Sequence, residues 1–95
     1  MTMSCEVRAL AAVIKVIRAG WCRGVMEDEG GRHCIVGAIV KLGVVSLLAD
    51  RLRKELEKRG LGGISHFNDS CERKQDVIRV LLEIKEEWAN DNGVR

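Results

Sequence analysis

The sequence has no proline and no tyrosine, and its only aromatic residues are Trp21, Phe67 and Trp88. Its charges almost balance, because 16 basic and 14 acidic side chains leave a net charge of +2. Binding to nucleic acid regardless of sequence needs a basic surface and aromatic stacking platforms. The cations between Arg51 and Arg59 are interrupted by Glu55 and Glu57. We therefore interpret them as a solvated helix face and expect no nucleic-acid partner.

Long apolar runs are also missing, and none approaches the roughly 18 residues that a membrane-spanning helix needs. The first residues carry no basic segment ahead of an apolar stretch, so we expect no secretory signal and a cytoplasmic protein. The sequence contains no internal repeat, low-complexity tract or linker. With 46% hydrophobic and 32% charged residues, it is typical of one soluble domain over residues 1–95, with a tail that frays from about residue 90.

Four cysteines, Cys5, Cys22, Cys34 and Cys71, could in principle form two disulfide bonds. Small domains that are rich in disulfides compensate in this way for a poor hydrophobic core. This chain instead has abundant valine, isoleucine and leucine, which removes that need. We therefore expect reduced thiols that pack in the interior as small hydrophobic side chains.

Apolar residues at three- and four-residue spacing predict four helices. The first follows Ser4 as its N-cap and ends before Gly20. The second begins at Cys34 and ends near Gly43, the third runs from about 44 to 59, and the last covers roughly 72–90. Gly37 lies inside the second helix, where glycine costs about 1 kcal/mol relative to alanine. We expect another backbone to approach the helix closely at that position.

Two segments between the helices lack this spacing. Residues 21–33 contain a Gly-Gly turn signal that allows a short β-hairpin. Residues 60–63 form a glycine-rich connector, residues 64–67 are interpreted as a short extended piece, and Asp69 with Glu72 resembles a capping box for the last helix. The predicted fold is mainly α: a compact domain of three to four helices, with an optional short β-hairpin around residues 21–33.

Three short motifs follow one another in the sequence. They are Gly-Trp-x-x-Gly at 20–24, Gly-Arg-x-Cys-x-x-Gly-Ala at 31–38, and aromatic-Asn-Asp at 67–69. In order and spacing the chain resembles, from about Val7 to Leu82, a family of small uncharacterised bacterial and phage proteins, a domain of unknown function. The resemblance implies a shared fold and implies no reaction.

The motif residues define a candidate binding site. Asn and Asp before a helix usually cap backbone N–H groups, and a core tryptophan usually donates its indole N–H to a carbonyl. We expect the loop at 20–24, the helix start at 34–38 and the turn at 67–69 to pack together into a polar cluster on which a partner or small ligand binds. The binding residues predicted there are Trp21, Arg23, Arg32, Asn68 and Asp69.

Thiol chemistry is the alternative use of the same region. Cys34 stands where a helix should begin, and a helix N-terminus stabilises a thiolate. His66 and Asp69 could act as its base and orienting acid, as in cysteine hydrolases. Cys34 also falls on an apolar stripe, where a cysteine is normally a buried spacer. A cysteine-dependent hydrolase or transferase is therefore the second hypothesis, and a non-enzyme is favoured.

Metal binding and phosphate binding have less support. Zinc accepts ligands of the kinds found at Cys22, Cys34, His66 and Cys71, with His33 as a substitute for Cys34. No Cys-x-x-Cys pair is present, however, and the glycine-rich connector lacks the Lys-Ser/Thr of a P-loop. We expect no metal and no cofactor.

These patterns together favour a small, non-catalytic module that binds another protein, in the setting of a phage or mobile-element accessory protein. The stretch from Ile39 to Leu48 has apolar residues on more than one face. A 95-residue core buries limited apolar surface, and self-association would add to it. We therefore also predict a homodimer.

Overall fold

The computed structural model describes residues 4–94, with side chains described through residue 90. Its five α-helices are α1 (Cys5–Ala19), α2 (Ile35–Lys41), α3 (Asp50–Lys58), α4 (Ile64–Ser70) and α5 (Lys74–Val94). The predicted mainly α fold is confirmed. No helix in the described part of the chain combines the length and the apolarity that crossing a membrane requires.

The core lies mainly between α1 and α5, and α2 and the turn before α3 cover the rest of α1. The apolar spacing that predicts the first helix comes from Val7, Leu10, Ala11, Ile14 and Ile17, and all of these except half-buried Ala11 are buried. Ser4 caps α1 as predicted, because its Oγ accepts a hydrogen bond from the Val7 N–H at 3.1 Å. The hydrophobic core is therefore built around the apolar face of α1.

The segment between α2 and α3 departs from a regular helix. Gly43, with φ +70°, ends the helical turn after α2, as predicted. The predicted third helix then divides into a π-helical turn, Val45–Ala49, and α3. Leu48 is buried in this segment. A second group of apolar residues points outward, with exposed fractions from 37% to 48%: Val40, Leu42, Val45 and Leu47.

Residues 64–70 correct one prediction, because they form α4 instead of an extended piece. Ile64, Phe67 and Asn68 are buried on one face of this helix. Their spacing of three and four residues is helical, and burial of that face outweighs the turn preference of Asn-Asp-Ser. Helix α5 begins at Lys74 and not at 72, and the Asp69 side chain turns toward the loop at 20–34. The predicted capping box is therefore wrong.

The optional β-hairpin around 21–33 is reduced to two isolated bridges at His33, one parallel to Trp21 and one antiparallel to Glu27. The His33 N–H donates to the Gly20 carbonyl at 3.0 Å, and the His33 carbonyl accepts from the Cys22 N–H at 3.2 Å. We call residues 20–34 the 20–34 loop. The segments at Trp21, Glu27 and His33 lie next to one another, with His33 buried, but they do not form a two-stranded β-hairpin.

Gly37 fits α2 against this loop. A Cβ at Gly37 would collide with the Met26 carbonyl oxygen. The expected close approach of a second backbone is confirmed, and it explains why glycine stands inside a helix. The predicted end of the last helix near residue 90 is four residues short of Val94. Fraying of the tail stays a prediction, and residues 1–3 at the start lie outside the described residues.

Candidate functional site

Asn68 is completely buried, and its side-chain amide connects three distant segments of the chain. Its Oδ1 accepts from the Trp21 indole N–H at 2.9 Å and from the Ile35 backbone N–H at 3.0 Å. Its Nδ2 donates to the Cys22 carbonyl at 3.1 Å and to Asp69 Oδ1 at 3.0 Å. A carboxamide has two donors and two acceptor positions, so this one is fully used. We call these five residues the Asn68 junction.

Asp69 and Arg23 fasten the 20–34 loop to the end of α4. Asp69 Oδ1 accepts from the Gly24 N–H at 3.0 Å, where Gly24 has φ +80°. This N–H and the Asn68 amide hold the pKa of Asp69 below its ordinary value. On the other side, Arg23 Nη1 donates to the Cys71 carbonyl at 2.9 Å. The guanidinium of Arg23 also lies 6.0 Å from the Trp21 ring centroid.

Asp28 closes the turn at the far end of the loop. Its Oδ1 accepts from the Gly30 N–H at 3.0 Å and the Arg32 N–H at 2.9 Å, and its Oδ2 accepts from Arg32 Nε at 2.6 Å. These hydrogen bonds keep the pKa of Asp28 below its ordinary value. The bond from the Arg32 backbone N–H has the largest effect. The side chain of Arg32 is nevertheless 62% exposed. One edge of its guanidinium therefore remains available to a partner.

Val25 and Met26 form the tip of the loop, and sequence reasoning did not single them out. The Met26 carbonyl accepts from the Cys34 N–H at 3.1 Å, and the Val25 carbonyl accepts from the Cys22 thiol at 3.5 Å. The side chains of Val25 and Met26 are 53% and 49% exposed, respectively. The sequence feature that could have indicated them is an apolar pair between Gly24 and the acidic turn that begins at Glu27.

Two clefts border the loop, with volumes of about 440 and 210 Å³. The 440 Å³ cleft is lined by Trp21, Cys22, Arg23, Asp28, Arg32 and Glu72. The 210 Å³ cleft is lined by Gly24, Val25, Met26, Cys34, Ser65 and Asp69. Of the predicted binding residues, Asn68 lines neither cleft and holds the loop in place from within.

The four cysteines are free thiols, as expected, but they are not all interior. Cys22 and Cys34 are buried, Cys71 is half-buried and Cys5 is exposed, so the expectation of buried thiols is wrong for Cys5. Cys34 Sγ accepts from the Gly37 N–H at 3.3 Å and so caps α2. Burial, followed by the nearby Asp28 carboxylate, raises the pKa of the Cys22 thiol. Burial likewise raises the pKa of the Cys71 thiol.

The structure assembles only part of the thiol site considered from sequence. Cys34 and Asp69 line the same 210 Å³ cleft, whereas His66 is exposed on α4 and does not line it. Within residues 4–90, His66 forms no hydrogen bond to Cys34 or Asp69. The geometry therefore provides a thiol and a carboxylate without a base held between them.

The weak zinc candidates are not gathered into a ligand set. Across the residues with described side chains, no three His, Cys, Asp or Glu residues are placed to share a metal ion. The Cys22 thiol lies 3.3 Å from the Arg32 carbonyl and 3.5 Å from the Val25 carbonyl, and the two carbonyls share its one proton. His33 Nε2 lies 3.5 Å from Glu27 Oε1. These side chains serve the local structure of the loop.

The fold and the Asn68 junction define a small, mainly α domain in which one buried amide positions an exposed loop. The chain belongs to the Family of unknown function (DUF6197), whose model matches residues 6–87. The comparison with curated proteins finds no match, and the comparison with solved structures finds none either.

Proposed function

We propose that the chain is a non-catalytic module that binds another protein through the tip of the 20–34 loop. The observation that carries the proposal is the exposure of Val25 and Met26, at 53% and 49%, on a backbone tied to buried groups on both sides. A loop that is already ordered loses little conformational freedom when it binds. Exposed apolar side chains on such a loop favour a protein partner.

The charges around the tip describe the partner's chemistry. Arg23 and Arg32 are exposed beside the 440 Å³ cleft, and each has guanidinium N–H groups beyond the bonds it makes to Cys71 and Asp28. A carboxylate accepts such donors in a charge-assisted pair. The partner that fits presents an apolar side chain to Val25 and Met26 and an acidic side chain to the arginines.

A comparison of two matched double variants tests this proposal. The protein is immobilised and incubated with extract from its native host, and the captured proteins are compared. V25S/M26S is expected to lose a protein that the unchanged chain retains, because the apolar contact is removed. V40S/V45S is the control, since Val40 and Val45 are exposed to a similar extent, at 47% and 48%. Equal capture by both double variants contradicts binding at the loop tip.

The setting of the module belongs to the same proposal. A cytoplasmic location is supported by the four free thiols, since disulfides persist mainly in oxidising compartments. An accessory role in a phage or mobile element rests on the motif resemblance. Fractionation of the native host tests the location, and recovery of the chain outside the cytoplasm contradicts it.

Self-association is also proposed. The stretch from Ile39 to Leu48 supports it, because Val40, Val45 and Leu47 are exposed while Ile39 and Leu48 are buried in the core. An exposed apolar group of this kind is typical of an interaction surface. Light scattering over a concentration series tests the mass, and a monomer at every concentration contradicts the homodimer.

A cysteine-dependent hydrolase or transferase is the second candidate, favoured by the cleft that Cys34 shares with Asp69. The test is the rate at which iodoacetamide alkylates each thiol in the folded protein. This second candidate requires Cys34 to react faster than a free model thiol. If the module proposal holds, Cys5 reacts first and Cys34 reacts only when the protein unfolds, because Cys34 is 6% exposed.

A further inference from the structure

Helix α5 and the end of α1 border an open groove of about 780 Å³, on residues that do not belong to the 20–34 loop. Its apolar floor is Ile78 and Leu82, and Leu82 is 37% exposed. Charged side chains surround this floor: Arg18, Lys74, Asp76, Arg79, Glu83 and Glu86. An apolar strip with charged borders is typical of a surface that receives a helix.

The charges at the two ends of the groove match a reversed copy of the same helix. Lys74 is the first residue of α5, and Glu86 lies twelve residues further along the same groove. Reversing the helix about residue 80 exchanges Lys74 with Glu86 and exchanges Ile78 with Leu82. Two antiparallel copies would therefore place Lys74 against Glu86 at both ends and apolar side chains together in the middle.

We propose that this groove binds a second copy of the chain, with the two α5 helices antiparallel about a two-fold axis near residue 80. The inference rests on the self-association proposed above, but it places the contact between copies on α5 and not on the exposed residues Val40, Val45 and Leu47. Ile78 packs on Leu82 of the other copy, and Lys74 pairs with Glu86 of the other copy. Each contact occurs twice, because the interface is isologous.

The charges needed for this pairing are available. Glu86 forms no ion pair within residues 4–90, and Lys74 Nζ donates to the Arg18 carbonyl at 3.0 Å, not to a carboxylate. Glu83 is already engaged by Arg59 at 3.3 Å, so Glu86 is the better acidic partner. The exposed apolar residues from Val40 to Leu47 are accompanied only by Lys41 among charged residues, so that surface lacks a matching pattern of both signs.

The paired segment is short, so the dimer is expected to be weak and concentration-dependent. The pairing runs from Lys74 to Glu86, which corresponds to a length of about 20 Å. Interfaces that bury less than about 1,200 Å² in total are usually transient. Sedimentation velocity over a wide concentration range is therefore the appropriate measurement.

A charge exchange tests the assignment. K74E and E86K alone each place like charges at both ends of the interface, and each is expected to raise the dimer dissociation constant about tenfold. The double variant K74E/E86K exchanges the charges within each pair and is expected to restore dimerisation close to that of the unchanged chain. Failure of the double variant to restore dimerisation overturns the inference. Circular dichroism confirms that each variant remains helical.

A second pair of variants separates this surface from the other apolar one. L82S is expected to weaken the dimer. V45S alters the alternative surface from Val40 to Leu47, and it is expected to leave the dimer unchanged because the contact is placed on α5. If V45S weakens the dimer and L82S does not, the groove assignment is overturned, and self-association through the residues from Val40 to Leu47 is supported instead. A monomer at every concentration overturns both, and capture of a partner by the loop tip is measured independently with V25S/M26S.

Discussion

The carboxamide of Asn68 works as a cross-link between parts of the chain that are far apart in sequence. It joins Trp21 and Cys22, at the start of the 20–34 loop, to Ile35 at the start of α2 and to its neighbour Asp69. No side chain other than Asn or Gln supplies two donors and two acceptor positions on one planar group, and Gln is longer by one methylene. The buried amide is thus specified by both its chemistry and its size.

Replacing Asn68 by aspartate tests this role with little change in shape. The carboxylate keeps both acceptor positions, but it cannot donate to the Cys22 carbonyl, and it places a second negative charge beside Asp69. We expect N68D to lower the free energy of unfolding by about 3 kcal/mol at neutral pH. Urea denaturation measures the loss. Asn90, which is exposed on α5, provides the control N90D; equal stability of the two variants contradicts the assigned role.

The lowered pKa of Asp69 predicts part of the pH dependence of stability. Since the Gly24 N–H and the Asn68 amide favour the ionised form in the folded state, Asp69 stabilises the fold above its ordinary pKa. That contribution is lost as the pH falls through the lowered pKa of the folded state. The D69N variant is therefore expected to lose less stability than the unchanged protein between about pH 5 and pH 2. Denaturation midpoints across this range measure it, and parallel curves for the two proteins contradict it.

Helix α2 and the 20–34 loop fit together because one position on the helix has no side chain. The carbonyl of Met26 occupies the space that a Cβ of Gly37 would need, and the same carbonyl accepts from the Cys34 N–H at 3.1 Å. The helix therefore fixes the loop backbone directly beneath the exposed side chain of Met26. This contact connects the core to the proposed binding surface.

The variant G37A separates helix propensity from this packing contact. Propensity alone predicts a gain of about 1 kcal/mol, because alanine is the better helix former. The collision with Met26 predicts the opposite sign, with a loss of about 2 kcal/mol in the free energy of unfolding. Gly63 is the control, since it has φ −72° and a Cβ there would meet nothing within 4 Å. Thermal denaturation compares G37A with G63A, and a stabilised G37A contradicts the close contact.

The sequence predicted helices well where long apolar stripes carry the information, and less well where short segments depend on distant contacts. The stripe of α1 and its Ser4 cap were sufficient to place that helix. Helix α4 has only seven residues, and an isolated helix that short is unstable, so its conformation depends on burial of Phe67 and Asn68. The candidate site was also predicted only in part. The three motifs indicated which segments meet, whereas the orientation of the Asn68 amide and the exposure of Met26 depend on the assembled fold.

Across the whole domain, Arg51 on α3 and Arg59, the C-cap residue that follows it, attach that helix to its neighbours. Arg51 pairs with Glu6 of α1, and its guanidinium lies 4.2 Å from the ring centroid of Trp88 on α5. Arg59 contacts Glu55 on α3, and Glu83 and Glu87 on α5. Ion pairs that connect different helices stabilise their packing, whereas pairs within one helix mainly support that helix alone.

Removal of Arg59 tests this connection. R59A is expected to lower the free energy of unfolding by about 1 kcal/mol, and added salt should reduce the difference by screening the pairs. The control is R53A, because within residues 4–90 Arg53 forms its ion pairs with Asp50 and Glu57, both on α3, and it is expected to contribute less than about 0.5 kcal/mol. Urea denaturation at low and high salt measures both. Equal losses for the two variants contradict a role for Arg59 between helices.

The place of Asn68 in the chain has a consequence for synthesis on the ribosome. Both segments that its amide holds, at Trp21 and at Ile35, are made first, so neither has its hydrogen-bond partner until α4 leaves the exit tunnel. A nascent chain that stops before residue 68 lacks the group that closes the loop. The change in Trp21 fluorescence as the indole leaves water then marks the moment at which the newly made protein acquires its ordered surface.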